Sequence, residues 1–357
     1  MSAPNTHTFV IETSDAGERV DRYLAARLPE LSRTRIQELI EAGLVLLDGA
    51  STKGARKLRA GEQISVEAQA RLPMRAEPEA IPLEILYEDE DVVVVNKPAG
   101  MTVHAGAGNT RGTLVNALLG RGQALSKGGD ALRPGIVHRL DKETSGAILV
   151  AKSDFAHARL AEAFARREVK KTYLALVEGK LPEKSGRIEL AIGRDLRQRT
   201  RMAVVREKGG ARALRASARA ARTDWRTLAE IDGTTLVEVQ LHTGRTHQIR
   251  VHFAALKHPV VGDTLYGAAE LLAIGAGGGR GEERRHGSRA AQGTKRMAQL
   301  GRNFLHAAKL EFTQPRTGAW VEVRAPLPGE LSNFLRELAS QSGEDWEKID
   351  AVLRPFL

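Results

Sequence analysis

The sequence predicts an α+β protein: a large domain built on a mixed, largely antiparallel sheet, preceded by a small unit of helices and strands. Three observations lead there. Apolar runs of strand length, among them Val92–Val95 and Ala147–Ala151, recur with few of the strand–helix–strand alternations that build a parallel sheet. Ahead of them stand two stretches with apolar residues at helical spacing, followed by an Asp48-Gly49 turn. Between the two parts, residues 68–80 hold two prolines and no periodicity, the composition of a linker.

The elements follow in order. Val20, Tyr23, Leu24 and Leu28 recur at helical spacing, and Pro29 stops that helix. A second helix is predicted from an N-cap at Ser32, through Ile36, Leu39 and Ile40, to Gly43. Leu44–Leu47 reads as a strand and Gln63–Glu67 as a later one, so residues 17–67 are expected to form one compact unit. The large domain, residues 81–335, is expected to run through strands near 83–87 and 91–96, a helix near 113–119 and a strand at 147–151. A helix capped by Ser153 then carries Ala156, Leu160 and Phe164 on one face. Strands near 171–178, 186–192, 200–206, 220–230 and 234–242 and a helix near 246–256 follow, and residues 336–357 read as a helical tail.

Two stretches look like additions. Residues 194–226 hold ten arginines and one lysine against Asp195, Glu207 and Asp224. Residues 268–301 include a glycine-rich, basic stretch at 274–290 that reads as a loop. Gly275, Gly277 and Gly279 lack both a preceding strand and a Gly-Lys-Ser/Thr ending, so no nucleotide cofactor is expected.

Lys and Arg exceed Asp and Glu by 54 to 44, a balance that suits a polyanionic partner but also serves acidic proteins and membrane surfaces. The chain has no cysteine, which excludes disulfides, thiolate catalysis and Cys-ligated zinc and fits a reducing cytoplasm. His242, His247, His252 and His258 stand five or six apart without a ligand pattern, so no metal is expected. Met1–Thr13 does not read as a signal peptide, and no apolar run approaches the roughly 18 residues of a membrane span. A cytoplasmic protein with no membrane partner is expected, and a monomer.

The most informative stretch is His138–Gly146. It sets Asp141 between Arg139 and Lys142, just ahead of an apolar strand. Neighbouring cations favour a charged carboxylate, the state that a nucleophile or general base needs. Taken alone, the ordinary reading is a turn aspartate in a surface ion pair. Three further blocks change that: Val95–His104 upstream, Lys170–Val177, and Gly244–His252 followed by Pro259–Gly267.

In order and character these blocks resemble the RluA-type pseudouridine synthases, over roughly residues 81 to 330. Val103–Asn109 and Arg133–Val137 look most like the RluD branch, which acts on large-subunit ribosomal RNA. The small unit is similar to the S4 RNA-binding domain, with Arg33, Arg35, Lys53, Arg56 and Lys57 as its candidate RNA contacts. The resemblance implies the synthase fold and the isomerisation of uridine to pseudouridine without a cofactor. It implies a catalytic role for Asp141 on a flipped-out uridine, with Arg139 filling the vacated space. It also implies that Tyr173 stacks on the base and that Arg250 holds Asp141. Lys97, His104, His138, Arg245 and His247 are expected to support the site, and the expected partner is large-subunit ribosomal RNA or a pre-ribosomal particle. Three alternatives stay open at this point: the same reaction on transfer RNA, a glycosylase that also sets an aspartate against a nucleotide, and an S4-type RNA-binding protein without catalysis.

Overall fold

The computed structural model describes residues 5–29, 31, 33–68, 76–106, 109–128, 132–198, 200–205, 218–274 and 296–356. The Ser32 cap, the Arg35 side chain, residues 206–217 of the arginine-rich stretch and nearly all of the glycine-rich one lie outside the described residues. The chain divides into two units, Met1–Met74 and Arg75–Leu357.

The first unit is built from β1 (Asn5–Val10), α1 (Val20–Arg27), α2 (Arg33–Glu41), β2 (Val45–Leu47), β3 (Ala50–Ser51) and β4 (Gln63–Ala68). Its sheet runs β1-β4-β2-β3, antiparallel throughout. The helices bury Val20, Tyr23, Leu24, Ile36, Leu39 and Ile40 against Val45, Ile64 and Val66 of the strands. At the β2–β3 turn, Asp48 and Gly49 have φ of 50° and 78°, the left-handed pair that a two-residue hairpin needs. The unit begins earlier than the expected residue 17, because β1 completes the sheet along the free edge of β4. Its polar sequence, Asn5-Thr6-His7-Thr8, hides the strand.

The second unit is organised by one nine-stranded sheet. Its path is β5 (Glu84–Glu88), β6 (Val92–Lys97), β7 (Ser145–Ala151), β16 (Leu305–Thr313), β8 (Lys170–Glu178), β13 (Thr234–Leu241), β12 (Thr223–Ile231) and β9 (Ser185–Ile188), with β17 (Trp320–Arg324) also paired to β16. Every pairing is antiparallel except β7 with β16. Both faces of the sheet's middle are covered, so β6 and β7 alternate between two cores. Val93, Val95, Ile148 and Val150 face the larger one. Val92, Val94, Ala147 and Leu149 face the smaller one, packed by Ala156 and Leu160 of α4 (Asp154–Arg166). Each such fully buried Val, Leu or Ile side chain contributes roughly 1.5–3 kcal/mol. As expected, Ser153 caps α4 by accepting from the Ala156 N–H at 3.1 Å. Thr113 and Asn116 form a capping box on α3 (Leu114–Gly120).

Three expectations are corrected. Residues 186–192 do not form one strand, since β9 ends at Ile188 and β10 (Ile192–Arg194) pairs instead with β11 (Met202–Val204). Residues 76–80 of the expected linker belong to the second unit, where the Asn116 side chain donates to the Glu77 carbonyl at 2.7 Å and Ala76 packs on the core. The expected tail at 336–357 is no appendage. Helix α6 (Gly329–Ser342) starts earlier, and with α7 (Trp346–Leu353) it buries Leu331, Leu335, Leu338, Ile349 and Leu353 in the main core. Between β13 and β16 lie α5 (Gln248–Ala255) and the antiparallel pair of β14 (Leu272–Ile274) with β15 (Arg296–Ala298).

Candidate active site

Asp141 sits on the loop that enters β7, and buried groups on two sides hold that loop. On one side, Lys97 at the end of β6 has no exposed surface, and its Nζ donates to the carbonyls of Pro98, Met101 and Lys142 at 2.7, 2.8 and 3.0 Å. Three acceptors match the three donors of an ammonium, although burial draws its pKa down to about 7 against the pull of Glu143 and Asp141. On the other side, Arg302 donates through Nη1 to the Glu143 carbonyl at 2.8 Å and through Nη2 to Ser145 Oγ at 3.1 Å. Ser145 Oγ in turn meets His306 Nδ1 at 2.9 Å, and His306 Nε2 donates to the Ala325 carbonyl at 3.0 Å. Burial lowers the His306 pKa to about 4.

Glycine makes the approach possible. Gly146 has φ of 112°, and a Cβ there would stand 2.3 Å from the Ala307 carbonyl oxygen of β16. His138 is tied to β7 and α4. Its Nε2 accepts the Leu149 N–H at 2.9 Å, its ring stacks on Phe164, and burial brings its pKa to about 3.

The loop opens onto a cavity of about 260 Å³ in which Asp141 is the sole lining carboxylate among the described residues. Tyr173 lines it from β8, 5% exposed, with its phenol pKa raised first by burial and then by the charge of Asp141. Arg250 lines it from α5, with Nη1 3.4 Å from Asp141 Oδ2. That contact is long. The stronger partner of Arg250 is Asp263, gripped at 2.6 and 2.8 Å through Nε and Nη2, while the Tyr266 ring lies 5.1 Å from the guanidinium carbon. Arg250 therefore reaches Asp141 with its remaining nitrogen, already oriented by Asp263.

The other expected residues divide. Arg139 is exposed at the cavity wall and makes no ion pair among the described residues. His247 lines the cavity and bonds the Tyr266 hydroxyl at 2.8 Å, and Arg245 lines it while donating to the Ala220 carbonyl at 3.3 Å. Lys97 acts from behind the loop, and His104, bonded to the Ala105 carbonyl at 2.8 Å, is not among the lining residues. Asp263, Tyr266, Arg302 and His306 were not singled out from sequence. The first two stand in the Pro259–Gly267 block, where an acid 13 residues beyond Arg250 was the available signal.

In the first unit, Arg56 is bound to Glu62 at 2.7 and 2.8 Å, and Arg33 is 3.6 Å from Asp21, which Arg19 already holds at 2.9 Å. Lys53 and Lys57 are exposed. Among the described residues no group of three or more metal-ligating side chains occurs, and no helix is long and apolar enough to cross a membrane.

The sequence model of the RNA pseudouridylate synthase family matches residues 91–255, and that of the S4 domain matches residues 18–64. An RNA pseudouridine synthase of Chloroflexus aurantiacus is 44% identical over 93% of this chain and 94% of its own length. The chain belongs to the RNA pseudouridine synthase family. A second relative, the ribosomal large subunit pseudouridine synthase D of Xanthomonas campestris, is 42% identical over 93% of this chain and 92% of its own. Among solved structures, human RNA pseudouridylate synthase domain containing 1 superposes with a TM-score of 0.51 at 29% identity, covering 74% of this chain and 89% of that one. This synthase is thus an isomerase of uridine in RNA, with an S4 domain ahead of its catalytic unit.

Proposed function

We propose that this synthase converts uridine to pseudouridine in large-subunit ribosomal RNA, with Asp141 as the nucleophile or base that meets a flipped-out uridine. The observation that carries the reading is the position of Asp141 as the lone carboxylate, among the described residues, of a cavity walled by Tyr173 and Arg250. The reaction breaks the bond from N1 to C1′, turns the uracil, joins C5 to C1′, and moves the C5 proton to solvent while N1 gains one. No atom is lost, and the chain needs only a carboxylate, a stacking surface and a dry pocket. Tyr173 supplies the ring against which uracil stacks. With its hydroxyl kept protonated by burial, it is a donor at the start of the cycle.

A cavity of about 260 Å³ suits one nucleotide rather than a helix, which supports a target that leaves its stack at a cost of a few kcal/mol. Arg139, at the wall without an ion pair among the described residues, is the side chain available to fill the vacated space. The ribosomal substrate is supported by the relatives named large-subunit synthases, and the S4 domain with exposed Lys53 and Lys57 supplies phosphate contacts. The test is to map pseudouridines in ribosomal and transfer RNA from cells with and without this gene. Loss of large-subunit sites supports the reading; loss confined to transfer RNA overturns the substrate.

A further inference from the structure

Lys171 is a half-buried cation of the cavity that the reaction just described leaves without a role. Strand β8 alternates, so Lys170 faces away, 5.0 Å from the Trp320 ring centroid, while Lys171 shares with Tyr173 the face that lines the cavity. Its Nζ lies 5.5 Å from the Phe164 ring centroid, and a Cβ at Gly244 would stand 3.9 Å from it, which sets the ammonium against the loop that leads into α5. Among the described residues it makes no hydrogen bond and no ion pair. Burial draws its pKa down to about 8, with no carboxylate among the described residues close enough to offset the loss of water.

The neighbouring cations are differently placed. Arg250 is matched by Asp263 and Asp141, Arg245 donates to the Ala220 carbonyl, and Arg139 and Arg167 at the wall are exposed to solvent. A half-buried ammonium without a counter-ion is unfavourable in the free protein and becomes favourable when an anion arrives. Uridine itself is neutral. The anions of the substrate are its phosphates.

Resting on the reading that the cavity takes a flipped uridine, we propose that Lys171 is a phosphate-binding residue whose ammonium pairs with one of the two phosphates flanking the target nucleotide. The cavity then selects a phosphodiester-linked uridine over a free base or nucleoside, and the pairing holds the sugar against Asp141. A methionine at 171 keeps the aliphatic stem against Phe164 and removes the charge; an arginine keeps the charge.

The test uses the full-length enzyme and a short RNA oligonucleotide containing a uridine that it modifies, made with an uncharged methylphosphonate at the linkage 5′ or 3′ to that uridine. For the wild-type enzyme, one of the two replacements should lower kcat/KM by about 10- to 100-fold, the scale of a lost charge-assisted hydrogen bond. Lys171→Met should lose a similar factor on the all-phosphate RNA and be indifferent to that same replacement. Lys171→Arg should regain the sensitivity, and the salt slope of log affinity for Lys171→Met should fall by about 0.7. Losses that multiply at both linkages, or full activity in Lys171→Met, would overturn the proposal while leaving the isomerase intact. No turnover of the all-phosphate RNA by wild-type enzyme would overturn the reading beneath it, and the proposal with it.

Discussion

Arg56 in the small unit and Lys171 in the cavity are both basic residues of a basic chain, yet they stand in opposite electrostatic situations. Arg56 is bound by two hydrogen bonds to Glu62, and that pairing, helped by the Arg59 N–H, draws the Glu62 pKa down to about 2. Arg19 and Arg33 likewise share Asp21. Lys171 has no such acid among the described residues. A net charge of +10 therefore counts together cations that hold the S4 domain's own loops and cations left open to a ligand. The difference is one of partners, and partners are set by the fold.

The comparison can be pressed hardest at the lone acid of the cavity. Asp141→Asn should leave folding and RNA affinity intact, since the cavity only becomes more positive, while pseudouridine formation falls by about 10⁴-fold or more, as for other residues that act on the reacting bonds. Single-turnover kinetics with filter binding reads both quantities, and near-normal turnover would remove Asp141 from the chemistry. Next in size is Asp263→Asn. Asp263 is to Arg250 what Glu62 is to Arg56, but it is 3% exposed, so neutralising it leaves a buried guanidinium whose remaining anion, Asp141, is 3.4 Å away. Urea unfolding at pH 7 should show a loss of roughly 3 kcal/mol, and an unchanged midpoint would mean that Arg250 does not depend on its acid.

A smaller effect should follow pH. His138 and His306 have folded-state pKa values near 3 and 4, below their ordinary 6.5, so the unfolded chain takes up protons first as pH falls. The stability they supply is complete above pH 6.5 and declines below it, by up to about 1.4 kcal/mol per pH unit for each group. Unfolding curves between pH 7 and 4.5 should show that slope, shallower in His306→Gln; equal slopes would deny His306 its share. The smallest contrast lies within the S4 domain. Arg56→Ala should lower the urea midpoint of that unit and leave the salt dependence of RNA binding alone. Lys57→Ala should do the reverse, reducing the slope by about 0.7 to 0.9. Equal effects of the two variants on the slope would erase the distinction between committed and open cations.

Much of the fold was legible in the sequence where one local signal sufficed. Ser153 and the apolar runs of β6, β7 and β8 announce their elements through a cap and continuous burial. What was not legible depended on distant neighbours. Strands β16 and β17 went unexpected, and so did the insertion of β16 between β7 and β8, because the two neighbours that set Leu305–Thr313 in the middle of the sheet lie more than a hundred residues away. The last two helices read as a tail, although Leu331, Leu335 and Leu338 already lay at core spacing, because nothing local said which surface they would cover. In the site, Asp141, Tyr173 and Arg250 were legible through their motif blocks. Asp263 and Arg302 were not, since a salt partner or a carbonyl clamp leaves no periodic trace.

The insertion of β16 also fixes when the site can exist during synthesis. Arg302 clamps the Glu143 carbonyl across 159 residues of chain, and His306 reaches Ser145 across 161. Asp141 and most of the cavity wall therefore emerge from the ribosome long before the strand that seats them. Until β16 is translated, β7 lacks its parallel neighbour and β8 has an open edge. The nascent chain carries all of its recognisable motifs while still without a seated aspartate. Catalytic competence arrives late, with residues that look least like a motif, and that non-local closure makes this unit a slow folder by its topology.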